Sequence, residues 1–301
     1  MRACMHSTDG CRGTALRRRT LSGFLAVNDA MTQTNYGFIG AGQMATALAG
    51  GMIEAGLATP AQICAADPFE PAREAFAVRT GAVTAADNRE VLTRADVVIL
   101  AVKPQHAQQA TSANRDSWDA RHLLISIVAG LRLAQLHDWT GRQPRLVRVM
   151  PNTPCLVGAS ASGFCLGPGA DDSDRQLVSA LLGAVGSAHE LPEKLLDAVT
   201  GLAGSGPAFV YQLIEALSDG GVQMGLPRAV AADLAAQTVL GAARMVIETG
   251  EHPAVLKDRV ASPGGTTIAG LAALEQGGFR AAAIEAVRAA TRRSTELGDS
   301  A

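Results

Sequence analysis

Residues 36–57, YGFIGAGQMATALAGGMIEAGL, leave few folds open. A short apolar run (36–40) passes directly into Gly40-x-Gly42-x-x-Ala45, and a helix-length stretch follows at 44–57. Buried strand, glycine turn and helix in immediate succession form the first half of a right-handed βαβ unit. In such a unit Gly40 permits the tight turn, Gly42 lets a diphosphate approach the backbone, and Ala45 lets helix and strand pack closely. The helix N-terminus, with its unpaired N–H groups, then faces the diphosphate. The alternative is a glycine turn closed only for packing.

The strand texture recurs at 62–67 (QICAAD), 97–102 (VVILAV), 123–128 (LLISIV) and 145–150 (RLVRVM). Continuous apolar runs of this length suit strands covered on both faces. Alternation with helices makes the expected class α/β, a Rossmann-like doubly wound parallel sheet spanning 31–191. From residue 192 strand-like runs cease. Segments 207–226, 228–250 and 279–297 are alanine-rich with helical period, with Pro227 near one start and Gly250 at its end. An all-helical domain over 192–301 is therefore expected. Segment 228–250 is apolar around most of its circumference and has little of its own domain to bury against, so a partner subunit, a homodimer, is implied.

Composition narrows the partners. A net charge of −2 gives no reason to expect nucleic acid or an anionic membrane. The longest uninterrupted apolar runs, such as 95–102, are of strand length and too short to span a bilayer. Cys4, Cys11, Cys64, Cys155 and Cys165 are scattered without metal-ligand spacing, so free thiols in a reducing cytosol and no metal are expected. Residues 1–30 are arginine-rich, lack an apolar core and precede a second methionine at Met31. They read as a disordered extension, with a loose likeness to a transit peptide.

Several polar positions stand out. Asp67 closes the second strand, 25 residues after Gly42, where an acid takes the ribose hydroxyls of NAD and repels a 2′-phosphate. A plain turn before Pro68 explains it equally, and Arg73 complicates the charge argument. Lys103, in AVKPQ, is one of three lysines against 23 arginines and ends another strand. Asn152 and Thr153 lie in a rigid MPNTP loop that could be only a connection. His252 reads as structural; His106 and His189 carry no signal. VASPGGTTIAGL (260–271) crowds Ser262, Gly264, Gly265, Thr266 and Thr267 before a helix without any acid, base or metal ligand.

FIGAGQMA, AVKPQ, RVMPNTP, DAVTGLAGSGPAFV (197–210) and ETGEHPAVLKDRVASPGGTTIAGLAALEQGGFRAA (248–282) together resemble the pyrroline-5-carboxylate reductase family, in order from about 36 to 297. The resemblance implies reduction of 1-pyrroline-5-carboxylate to L-proline by hydride from NADPH or NADH. It also implies an intertwined homodimer, often assembled further into decamers. Carried over by position, the cofactor side takes in Ile39, Gly40, Ala41, Gly42, Gln43, Met44, Asn88, Ala101, Lys103 and Ala129. Asp67 departs from the small polar residue that NADPH-using relatives often carry. The substrate side takes in Ser262, Gly265, Thr266 and Thr267, with Glu193 as a further candidate.

The 260–271 loop suits this chemistry. Bared glycine N–H groups and a helix N-terminus bind a carboxylate without arginine. A protonated iminium needs no strong acid, so a hydroxyl such as Thr267 suffices to orient the ring nitrogen. Capping of the following helix by Thr266 or Thr267 is the structural alternative. Two other functions share the architecture: a reductase of another cyclic imine or a β-hydroxyacid dehydrogenase-like enzyme, and a non-catalytic nucleotide-binding regulator. The hydroxyacid chemistry wants a lysine in the helical half, where only Lys194 and Lys257 occur.

Overall fold

The computed structural model describes residues 34–300; the expected disordered extension at 1–30 lies outside the described residues. The first half alternates strands and helices: β1 (Tyr36–Ile39), α1 (Gln43–Glu54), β2 (Ile63–Ala66), α2 (Glu70–Thr80), β3 (Val83–Ala85), α3 (Asn88–Arg94), β4 (Val97–Leu100), α4 (Pro104–Ser112), β5 (Leu123–Ser126), α5 (Leu133–Trp139), β6 (Arg145–Met150), β7 (Ser160–Leu166), α6 (Asp172–Gly183) and β8 (Gly186–Glu190). They form one sheet in the order β3-β2-β1-β4-β5-β6-β7-β8. The five apolar runs are β1, β2, β4, β5 and β6, and every residue of β1, β2, β4 and β5 is buried. Phe38, Ile99 and Ile125 face α1 and α6 through Leu48, Met52, Leu181 and Leu182. Ile39, Val98 and Leu124 face Val91, Trp118 and Leu136 on the other side. Two covered faces explain the unbroken apolar runs.

The sheet is parallel as expected except at one pair: β7 runs antiparallel to β6, pairing Val147 with Leu166 and Met150 with Gly163. A parallel return needs a crossover of a dozen or more residues. Residues 151–159 hold only a short 3-10 turn, Thr153–Val157, so the chain reverses. β8 then pairs parallel to β7 through the crossover helix α6. β3, β7 and β8 escaped the sequence reading because they are short or rich in small and polar residues.

After Glu190 every described element is helical: α7 (Leu196–Val199), a π turn (Thr200–Gly204), α8 (Gly206–Gln223), α9 (Arg228–Thr249), α10 (Pro253–Val260), α11 (Thr266–Gln276) and α12 (Phe279–Ser300). The expected helix at 207–226 stops at Gln223, where Gly225 turns left-handed at φ +98°. Gly250 closes α9 at φ +66°. α12 crosses the π turn so closely that a side chain at Gly201 would strike the Thr291 hydroxyl and the Val287 carbonyl.

One guanidinium joins the halves. Arg148 of β6 is buried and reaches Glu193 at 3.2 Å and Asp197 at 3.6 Å. Glu193 also accepts the Leu133 N–H at the start of α5. Asp197 accepts the Ser294 hydroxyl of α12 at 2.8 Å.

α9 is covered on one side only. It packs on α8, with Ala231 and Ala235 buried, while Leu234 (51%), Leu240 (52%) and Ile247 (79%) stand in the open. Among the described residues it is also the one helix long and apolar enough to cross a membrane by length and composition. Asp233, Gln237 and Arg244 break its sequence into short apolar runs.

Removing the Arg148 charge strands Glu193 and Asp197. Breaking a fully buried pair costs about 3–5 kcal/mol, and Glu193 is partly solvated, so Arg148→Met is expected to lower stability by about 2–3 kcal/mol. Urea unfolding of both proteins checks it; a loss below about 1 kcal/mol would show the junction to be held by packing alone.

Candidate active site

The carboxyl ends of β1, β2 and β4 open onto a cleft of about 780 Å3, at the point where the strand order reverses. Seven of the residues expected on the cofactor side line it: Ile39, Gly40, Gly42, Asp67, Asn88, Ala101 and Lys103. Gly40 sits at φ +97°, and a Cβ there would lie 2.6 Å from the Ala101 carbonyl oxygen. The turn after β1 therefore runs hard against the end of β4. Gly42 is the N-cap of α1, and a Cβ built on it meets no protein atom within 4 Å. Its small size is not required by the chain's own packing, and the α1 N-terminus carries neither a side-chain cap nor an acid. Both features fit a diphosphate against that helix end.

Asp67 is half-buried at the tip of β2. Its Oδ2 accepts the Ala41 N–H at 2.9 Å and its Oδ1 accepts the Phe69 N–H at 2.9 Å. Arg73 does not touch that carboxylate: its Nη1 donates to the carbonyls of Asp67 (2.8 Å) and Pro68 (3.2 Å). Asn88 opens α3 and donates to the Ala110 carbonyl of α4 at 3.3 Å, bracing the cleft floor. Lys103, the N-cap of α4, is exposed and forms no ion pair among the described residues.

Other expected residues fall elsewhere. Ala41 is buried and contributes its N–H to Asp67. Gln43 borders a separate groove on the outer side of α1. The Met44 sulfur lies 3.6 Å from Cys155 Sγ, in the packing between α1 and the 153–157 turn. The Met44 side chain is taken up in that packing, while the Gln43 side chain is exposed. Ala129 is exposed in the turn after β5, outside the cleft lining. Asn152 holds Ser160, Ala161 and the Ala203 carbonyl together, so the MPNTP loop is a structural joint. His252 caps α10 through the Ala254 N–H. Phe69, Asp87 and His106 also line the cleft and were missed, since nothing local separates them from ordinary turn or helix residues.

The 260–267 loop is a tight turn into a helix. Gly264 turns left-handed at φ +67°, the Gly265 N–H closes on the Ser262 carbonyl at 3.0 Å, and Gly265 is the N-cap of α11. The helix start has no side-chain cap and no acid in its first turn. Thr266 and Thr267 are therefore helical residues and not caps, which removes the structural alternative for their hydroxyls. Within the chain α11 packs on α12, and none of these loop residues lines the cleft. Glu193, the remaining substrate-side candidate, stands with Arg148 and Leu133 at the junction of the halves.

Buried thiols complete the inventory. Desolvation pushes Cys64 and Cys165 up to about 11 and raises Cys155, so none of the three offers a thiolate near neutrality. Among the described residues no histidine, cysteine and carboxylate cluster could hold a metal ion.

Comparison with known proteins gives one family match in each half of the chain. Residues 193–297 match the family described as pyrroline-5-carboxylate reductase dimerisation. Residues 35–130 match the NADP oxidoreductase, coenzyme F420-dependent family. The chain is 49% identical over 264 residues to pyrroline-5-carboxylate reductase of Arabidopsis thaliana, covering 88% of this chain and 95% of that protein. The chain belongs to the pyrroline-5-carboxylate reductase family. The Methanosarcina acetivorans reductase is 46% identical, with 89% and 99% covered. The Coxiella burnetii reductase superimposes with a TM-score of 0.83 at 36% identity, covering 88% of this chain and 99% of that one. The Plasmodium falciparum reductase, solved with NADP bound, superimposes with a TM-score of 0.81 at 34% identity, covering 89% and 99%. The reductase dimerisation match begins at Glu193 and takes in the exposed helix α9.

Gly42→Ala separates folding from binding. Its added methyl group meets open space in the chain, so the thermal midpoint should stay within about 2 °C, on the scale of a few tenths of a kcal/mol. Dinucleotide affinity, followed by quenching of protein fluorescence, should fall about tenfold or more as the methyl blocks the diphosphate. Unchanged affinity would remove Gly42 from the binding surface.

Proposed function

We propose that this protein reduces the C=N bond of 1-pyrroline-5-carboxylate to give L-proline, the last step of proline biosynthesis, with NADPH or NADH as hydride source. The observation that carries the reading is the pairing of two features. One is a dinucleotide cleft at the β1–β4 switch point. The other is a small polar loop, Ser262–Thr267, that leads into a helix start without a side-chain cap or an acid.

The loop's residues match the substrate. The N–H groups of the first α11 turn, with the helix dipole behind them, are donors for one carboxylate. Thr267, half-buried at the second position of α11, presents a hydroxyl to the ring nitrogen. When bound, the reduced nicotinamide supplies the hydride. The imine carbon accepts it, the π pair moves onto nitrogen, and the nitrogen's proton stays in place as the amine forms. A pre-protonated iminium requires no strong acid from the protein. Holding the two reactants in register can supply about 7–11 kcal/mol.

The loop and the cleft belong to different packing units within one chain, so the complete site requires two protomers. The apolar face of α9 supplies the interface, with dimers assembling further into decamers. This covering, in a cytoplasmic enzyme, accounts for an apolar helix that has no membrane to enter.

Thr267→Ala should lower kcat/KM for the imine by roughly 10- to 1,000-fold, the loss of one well-placed polar contact in the transition state. Cofactor affinity should barely change. Near-normal turnover would take Thr267 out of the mechanism.

Sedimentation of the wild-type protein at micromolar concentration should show no monomer. Glutamate at Leu234 and Leu240 should dissociate or unfold it, since an unpaired buried charge costs several kcal/mol. A soluble, active monomer would refute the shared site.

A further inference from the structure

We propose that the Asp67 carboxylate, clamped at the end of β2 by the Ala41 and Phe69 N–H groups, makes this protein prefer NADH and reject the 2′-phosphate of NADPH. The inference rests on the dinucleotide reading of the cleft and deepens it. The fold does not set this choice, because a relative at 34% identity was solved with NADP bound.

Two backbone hydrogen bonds hold the carboxylate in position. Each oxygen accepts one backbone N–H at 2.9 Å, and the side chain lines the cleft. An ionised carboxylate offers roughly four acceptor positions, so two remain after the backbone bonds. A ribose with free 2′ and 3′ hydroxyls brings two donors to such a site. A 2′-phosphate brings acceptors and negative charge to the same place.

Nothing nearby reverses the sign. Arg73 is the cation closest in sequence, but its guanidinium is held on the Asp67 and Pro68 carbonyls and does not line the cleft. A second carboxylate, Asp87, lines the same end just past β3, the neighbour of β2, where it caps α3 through the Arg89 N–H. Lys103 and His106 line the cleft beyond β4, on the other side of β1. The β2–β3 end thus carries two carboxylates and no cation in its lining.

The test measures binding and not turnover. Dissociation constants of NADH and NADPH for the purified full-length protein, read by calorimetry, should favour NADH by about fivefold or more, and Asp67→Ser should shift the ratio toward NADPH by about tenfold. Arg73→Ala should leave the ratio within about twofold, because the guanidinium takes no part in phosphate recognition. A wild-type ratio below fivefold, or a ratio unmoved in Asp67→Ser, overturns the proposal. A selective loss of NADPH affinity in Arg73→Ala overturns it as well. Should Asp67→Ser fail to fold, competition on the wild-type protein decides: adenosine 5′-monophosphate must displace NADH better than adenosine 2′,5′-bisphosphate, and the reverse order is fatal. Failure to reduce 1-pyrroline-5-carboxylate would refute the substrate reading and leave these binding ratios standing.

Discussion

Everything at the cofactor end depends on how closely the turn after β1 approaches β4. The Gly40 backbone lies so near the Ala101 carbonyl that no side chain fits between them. The Gly40 N–H meanwhile reaches the Ala66 carbonyl of β2 at 2.7 Å. The turn is held between the two strands that flank β1, and this fixes where α1 begins. From that follow the bare N-terminus at Gly42 and the Ala41 N–H aimed at Asp67. The open end of α1 and the anchored Asp67 carboxylate are therefore consequences of one packed turn.

The helical half obeys a different constraint. Arg148, carried out of the sheet on β6, meets Glu193 and Asp197, and Asp197 meets α12. The last helix is in this way tied to the first, and the intervening helices α8–α11 project from that base. They leave α9 apolar and uncovered and place Ser262–Thr267 away from the cleft of the same chain. A second copy covering α9 recovers about 25 cal/mol for each Å2 of apolar surface taken out of water.

Much of this was legible in the residues. β1, β2, β4, β5 and β6 declare themselves because a strand covered on both faces must be apolar at every position. The Gly40–Ala45 turn is local, as are the ends of α9 at Pro227 and Gly250, and local stereochemistry is visible in sequence. The left-handed turn at Gly264 and the helix start after Gly265 are local in the same way.

What tertiary structure alone decided is every relation between distant segments. The reversal of β7 depends on the length of the 151–159 connection and on where it must end. Glu193 is a substrate-side candidate by sequence, and only the fold shows that β6 delivers Arg148 beside it. Arg73 could have neutralised Asp67, and instead caps two carbonyls on its own side of the turn. His106 and Phe69 reach the cleft only because α4 and the end of β2 converge there. Short-range dihedral preferences and periodic burial are written residue by residue. The partner of a charge is set by where the rest of the chain carries the opposite charge, and no local pattern encodes that.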